Sequence, residues 1–213
     1  MKQSINIIHM NKASKLPKAY IGHIVDLYRI ARWTFHNPHS YTKYRAINNL
    51  RKVTEAKTFI ETGTFRGLTA KRCARVFDQV LTIELDDKLY AEASDYLAPL
   101  PNVKVIHGDG LVEVEKLLSD SSVDNVVLFL DGHFSGGVTA LGDMHEPAVE
   151  ELAVLSQYRD KISGIIIDDF REFGTMEGWP KKWELIRAAE ELFVNDGYDL
   201  AVYLDQVIIS RRM

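Results

Sequence analysis

The chain has 213 residues and a formal net charge of −4, with 46% hydrophobic and 26% charged residues. That length suits one domain with a substantial core. No basic tract is present, so the charge gives no support for nucleic acid or an anionic membrane surface as a partner.

The first apolar run, Ile5 to Met10, is broken by Asn6 and His9 and lacks a small-residue cleavage site, unlike a secretory signal. No apolar stretch reaches the length of a transmembrane helix. Cys73 is the sole cysteine, which forbids an intrachain disulfide and makes a cytoplasmic setting the expectation.

Residues 1–55 carry helical periodicity without a strand rhythm, and are expected to form an N-terminal helical cap. Ile21, Ile24, Val25, Leu27 and Tyr28, continued by Ile30 and Trp33, make an apolar stripe. The stripe predicts an amphipathic helix packed on the main domain, or a homodimer interface. Asn37-Pro38-His39-Ser40 breaks it, and a second short helix is expected over 43–54. Residues 56–213 then alternate. Strands are predicted at 58–62, 80–84, 103–107, 126–131, 164–168, 199–204 and 206–210. Helices are predicted at 66–77, 87–98, 110–119, 146–158 and 181–195. This order implies an α/β fold with a mostly parallel sheet covered on both faces. The last two strands are too close for a helical crossover and must form an antiparallel hairpin.

The most informative segment is Thr58-Phe59-Ile60-Glu61-Thr62-Gly63-Thr64-Phe65-Arg66-Gly67. An apolar strand delivers an acid, a Gly-x-x-x-Gly turn and a helix, which is how a nucleotide-sized cofactor is received at a sheet edge. Glu61 would repel a pyrophosphate and attract the ammonium of a bound amino acid, so S-adenosylmethionine is the cofactor candidate. A tight turn with no ligand is the alternative. Glu84 ends the second strand about 20 residues on, where an acid accepts from ribose hydroxyls. Asp86 is the better candidate to cap the next helix. Asp109, after the third strand, could accept from an adenine amino group, cap the following helix, or do both.

Leu128-Phe129-Leu130-Asp131-Gly132-His133 brings a carboxylate and an imidazole to a loop rich in glycine. Simple turn capping by Asp131 is the competing reading. Asp168 and Asp169 end the fifth strand, expected to neighbour the fourth. Three clustered acids need a cation, and an all-oxygen set suits magnesium, calcium or manganese. Alternatively Arg171 or Arg66 pairs with one acid while another caps a turn. Asp143, His145, His36, His39 and Tyr41 have no role that the sequence decides.

Over residues 55–213 these motifs, in this order, resemble class I S-adenosylmethionine-dependent methyltransferases. Glu61, Gly63, Thr64 and Gly67 match the first motif, with Thr64 read as replacing the middle glycine. Glu84 and Asp109 match the ribose and adenine positions, with Asp131 also beside the cofactor. The Leu-Asp-Gly-His-x-Ser-Gly-Gly block with Ile-Ile-Ile-Asp-Asp is similar to bacterial small-molecule O-methyltransferases of the macrocin type and to cephalosporin hydroxylase-like proteins. In that group and in catechol-type enzymes, the positions of Asp131, Asp168 and Asp169 hold magnesium, though the catechol type has Asn at the third. The resemblance implies methyl transfer to a hydroxyl of a small molecule, a sugar or natural product. His133 is the candidate general base, with Asp131 orienting it or binding metal. An NAD-dependent oxidoreductase and a non-catalytic cofactor-binding module are the alternatives.

Overall fold

The structure, a computed structural model, describes residues 18–34, 37–131, 147–175 and 179–212. Seven strands form one sheet: β1 Thr58–Thr62, β2 Gln79–Glu84, β3 Val103–His107, β4 Val126–Leu130, β5 Ile162–Ile167, β6 Tyr198–Tyr203 and β7 Gln206–Arg211. Their spatial order is β3-β2-β1-β4-β5-β7-β6. All pairings are parallel except β5–β7 and β6–β7. This is the expected mostly parallel sheet ending in an antiparallel hairpin. Tyr203 pairs with Gln206 across a turn of Leu204 and Asp205, where Leu204 adopts φ +56°.

The strand boundaries follow from burial on both faces. Every residue of β1, β4 and β5 is buried, which is why β4 and residues 165–167 of β5 read as apolar runs, while β1 also buries Thr58, Glu61 and Thr62. The edge strands β3 and β6 are partly exposed and mixed in composition.

Helices cover both faces. Before the sheet come α1 Lys18–Ala31 and α2 Ser40–Thr54. Between strands come α3 Leu68–Cys73, α4 Asp87–Leu97, α5 Gly110–Ser119, α6 Ala148–Leu155 and α7 Lys182–Leu192. One core cluster joins β-strand residues such as Ile60, Leu128 and Ile165 to Leu118 of α5, Leu152 of α6 and Leu185 of α7. The other joins Phe59, Val127 and Ile166 to Ile47 and Leu50 of α2, Cys73 of α3 and Leu97 of α4. The second half of the N-terminal segment is therefore a layer of the sheet itself. A Cβ on Gly164 of β5 would stand 2.7 Å from Leu50 Cδ2, so glycine lets α2 lie close against the strand.

Two expectations are corrected. The helix predicted over 66–77 is shorter. It starts after Gly67 and stops at Cys73, where Asn102 Nδ2 donates to the carbonyls of Ala74 and Phe77 at 2.9 and 3.0 Å. That side chain binds the turn that follows the helix, while the last helical carbonyls accept from the amides of residues 74–77. The apolar stripe of α1 does not pack on the domain: Ile21, Ile24, Leu27 and Tyr28 are 49–63% exposed. The face turned inward is Gly22 and Asp26, one helical turn apart. A Cβ on Gly22 would meet the His39 ring at 2.8 Å, and Asp26 bonds to the start of α2. Polar contacts, not the stripe, seat this helix.

Candidate active site

The register of the sheet builds the site. Thr62 is level with Ile83 on β2 and Leu130 on β4, and Leu130 is level with Ile167 on β5. The residues that follow, Gly63, Glu84, Asp131 and Asp168, therefore emerge along one edge. Strand order reverses direction between β1 and β4, and such a switch point leaves a crevice outside the carboxyl ends. A pocket of about 250 Å³ lies there. β1 and its turn supply Glu61, Gly63 and Thr64, the start of α2 and the residues before it supply Asn37, Pro38, Ser40 and Lys43, and Asp131 closes the far side.

The turn after β1 depends on left-handed backbone. Gly63 has φ +80° and Gly67 φ +68°, and a Cβ on Gly67 would stand 2.9 Å from Leu97 Cδ1. Phe65 also lies at φ +48°. It is Phe65, not Thr64, that stands at the middle glycine position of the motif. Its ring is 56% exposed, and its amide donates to Glu84 Oε2 at 2.7 Å. Thr64 is buried and turned inward.

Glu61 sits beneath this turn, 2% exposed. Thr82 Oγ1 donates to Glu61 Oε2 at 2.7 Å, so the contact between Thr64 and Thr82, also 2.7 Å, is donated by Thr64. Burial pushes the Glu61 carboxyl up to about 8 despite the Thr82 hydrogen bond, with the charges of Asp131 and Glu84 adding to the rise. A cation entering the pocket would favour the ionised form.

Glu84 is buried at the end of β2, and its two oxygens accept from the amides of Phe65 and Asp86. Carboxylate oxygens have further lone pairs for a ligand. Asp86 caps α4, accepting from Lys88 and Leu89 amides at 3.0 and 2.8 Å. Asp109 caps α5 through the Val112 amide at 3.1 Å.

Asp131, Asp168 and Asp169 offer carboxylate oxygens that all lie within 4.8 Å of one another. Asp168 is fully buried. Its amide donates to Leu130 O at 3.0 Å, and its Oδ1 accepts from Gln206 Nε2 at 3.2 Å. Burial raises the Asp131 carboxyl to about 8, helped by the charge of Asp168, and Asp168 is raised by burial as well. Asp169 is held at φ +51° and accepts from Arg171 Nη1 at 2.7 Å. Arg171 also bonds both oxygens of Asp205 in the hairpin turn, through its amide and its Nη1. The pairing of Arg171 with one of the acids is thus present, and it ties the β5 loop to the β6–β7 turn.

Sequence reasoning missed Lys43 and Gln206. The Lys43 ammonium contacts Asp168 Oδ2 and lies 3.5 Å from Asp169 Oδ1. Burial opposes its charge, but Asp168, Asp131 and Asp169 outweigh that and hold its titration above the ordinary lysine range. Lys43 is placed by a network behind it. Asp26 of α1 is buried and accepts from the His39 amide at 2.8 Å, His39 Nδ1 at 2.7 Å and Thr42 Oγ1 at 2.6 Å. His39 is the residue that begins α2. The pairing of a helical Asp with a later His-x-x-Thr had no sequence signature. His133, His36, Asp143 and His145 lie outside the described residues.

This sheet order, with the terminal hairpin and a pocket at the switch point, is the class I methyltransferase fold. The comparisons agree. Residues 35–138, slightly under half the chain, match the family described as Ribosomal RNA adenine dimethylase. Ribosomal RNA small subunit methyltransferase A of Listeria monocytogenes is 31% identical over 75 residues, which are 35% of this chain and 25% of that protein. The chain thus spans about a quarter of the length of that curated relative. Among solved structures, an O-methyltransferase from Bacillus cereus in complex with SAH superposes with TM-score 0.60 at 16% identity, covering 93% of each chain. A putative caffeoyl-CoA O-methyltransferase from Staphylococcus aureus gives 0.55 at 16% identity, covering 100% of both. At such identities the structural likeness speaks for the fold. Among the described residues no helix is long and apolar enough to cross a membrane.

Proposed function

We propose that this chain is an S-adenosylmethionine-dependent methyltransferase that transfers its methyl group to a hydroxyl of a small molecule, a sugar or another natural product. The observation that carries this reading is the pocket at the switch point, with buried Glu61 on one side and Asp131 on the other. In this reading Glu61 receives the ammonium of the cofactor and the turn through Gly63, Thr64 and Gly67 admits its backbone. Glu84 accepts from the ribose and Asp109 lies toward the adenine. Methyl transfer breaks the carbon–sulfur bond of the sulfonium as the acceptor oxygen bonds to carbon. The hydroxyl proton must leave, and His133 is the candidate base for it, with Asp131 either orienting it or binding metal. Holding that oxygen in line supplies most of the rate in such a reaction.

The acid cluster fits a divalent ion chemically: three carboxylates converge, and Asp168 Oδ2 is buried without a hydrogen bond of regular geometry. Asp131, Asp168 and Asp169 would hold it. A bound Mg2+ would lower the pKa of the acceptor hydroxyl and fix its orientation.

A second reading, methylation of a base in RNA, is favoured by the names of the sequence relatives. The matched span of 35–138 ends just beyond β4, so it covers the cofactor side of the sheet and leaves out β5 to β7. The net charge of −4 and the acids at the pocket also oppose a phosphate backbone. We retain a homodimer through the exposed α1 stripe and a cytoplasmic setting as parts of the proposal. Sedimentation at rising concentration tests the former. Labelled S-adenosylmethionine offered with polyhydroxylated small molecules and, separately, with ribosomal RNA tests the acceptor. Label in RNA alone would reverse the assignment.

A further inference from the structure

We propose that Lys43 is the resident cation of the acid cluster, and that a divalent ion can enter only by displacing it. The placement is specific. Lys43 comes from the first turn of α2, distant in sequence from all three acids, and its side chain is only 14% exposed. Its ammonium touches Asp168 Oδ2, the buried oxygen that has no hydrogen bond of regular geometry, and also reaches Asp169 Oδ1. The carboxylate oxygens that would ligate an ion all lie within 4.8 Å of one another. Ion–oxygen ligand distances are about 2.0–2.6 Å, so an ion that took Asp168 Oδ2 as a ligand would compete with the ammonium for that oxygen. An ammonium is a compact point charge with three donors, suited to several carboxylates at once. Two cations held at that one buried oxygen would repel each other, so the metal and the lysine are alternatives.

The backbone beneath Lys43 is fixed. Asp26 of α1 clamps His39 and Thr42, in the turn that leads into Lys43. Displacement must therefore come from rotation of the lysine side chain toward the pocket, which Lys43 itself lines. Metal occupancy would thereby change the pocket wall, coupling the ion to whatever the pocket holds. This concerns the site of the methyl-transfer reading without depending on it.

The test is a Mn2+ titration followed by the electron paramagnetic resonance of free Mn2+, on the wild-type chain and on Lys43→Met, Lys43→Arg and Asp168→Asn. Lys43→Met should bind Mn2+ at least about tenfold tighter than wild type. Lys43→Arg should stay as weak as wild type, and Asp168→Asn introduced into Lys43→Met should abolish the gain. Equal affinity in wild type and Lys43→Met, or no binding in either, overturns the proposal. If Lys43→Met fails to fold, wild type decides alone. Its protected lysine ammonium signal, observed through nitrogen-15, should shift on saturation with Mg2+. A signal that stays in place while Mg2+ demonstrably binds overturns the idea. Calorimetry with S-adenosylhomocysteine on the same samples reports separately on the methyl-transfer reading.

Discussion

At the residue scale the account turns on Glu61. Its carboxyl, raised to about 8 by burial, is largely neutral near pH 7 while the pocket is empty. The unfolded chain holds that proton only below about 4.5. Between these values the folded state binds more protons than the unfolded one, so stability falls as pH rises from about 4.5 to 8. Asp131, raised to about 8 for the same chief reason, adds to that slope. An amino acid ammonium next to Glu61 would restore its charge, and S-adenosylhomocysteine should release protons on binding at pH 7. Calorimetry in buffers of different ionisation enthalpy measures that release, and Glu61→Gln should lose it. Gly67→Ala is a second test at this scale. The left-handed φ of +68° and the approach to Leu97 should cost about 1–3 kcal/mol, read as a lower melting temperature. An unchanged melting temperature would mean that the turn has another shape. The acids Glu61, Glu84, Asp131 and Asp168 were legible because each lies within a residue of a strand's carboxyl end. Lys43 was not, because a lysine in a helix reads as a solvated face until tertiary structure turns it inward.

At the element scale the strands were read to within about two residues, because burial on both faces leaves an apolar signature in β4 and β5. Helix ends were less legible. The turn that follows α3 at Cys73 is held by Asn102, a residue from beyond the next strand and helix. The seating of α1 was misread because its apolar stripe suggested packing, while a buried aspartate does the anchoring. Three hydrogen-bond donors converge on Asp26 and hold its carboxyl below the usual range in spite of burial. Asp26→Ala should leave His39 and Thr42 without their acceptor, at a cost of about 1–3 kcal/mol. Hydrogen exchange should show the loss in α1 and at the start of α2, with protection of β1, β4 and β5 retained. Uniform loss across the sheet would contradict a local anchor.

At the scale of the whole molecule, the chain places a pocket where strand order reverses and lines it from three directions: the turn after β1, the end of β4 and the start of α2. The fold class was readable from the alternation of strands and helices together with the closing hairpin. The contribution of α2 to the sheet layer and the pocket wall was not, since nothing local marks a helix as belonging to a sheet formed after it. The measurement that tests the account most directly is calorimetric titration of the intact chain with S-adenosylhomocysteine, with and without Mg2+, and with NAD for comparison. The account predicts micromolar binding of S-adenosylhomocysteine, weakened by about 1–3 kcal/mol in Glu84→Ala, and no binding of NAD. A folded chain that gives no heat with S-adenosylhomocysteine in either condition, or one that binds NAD instead, would contradict it.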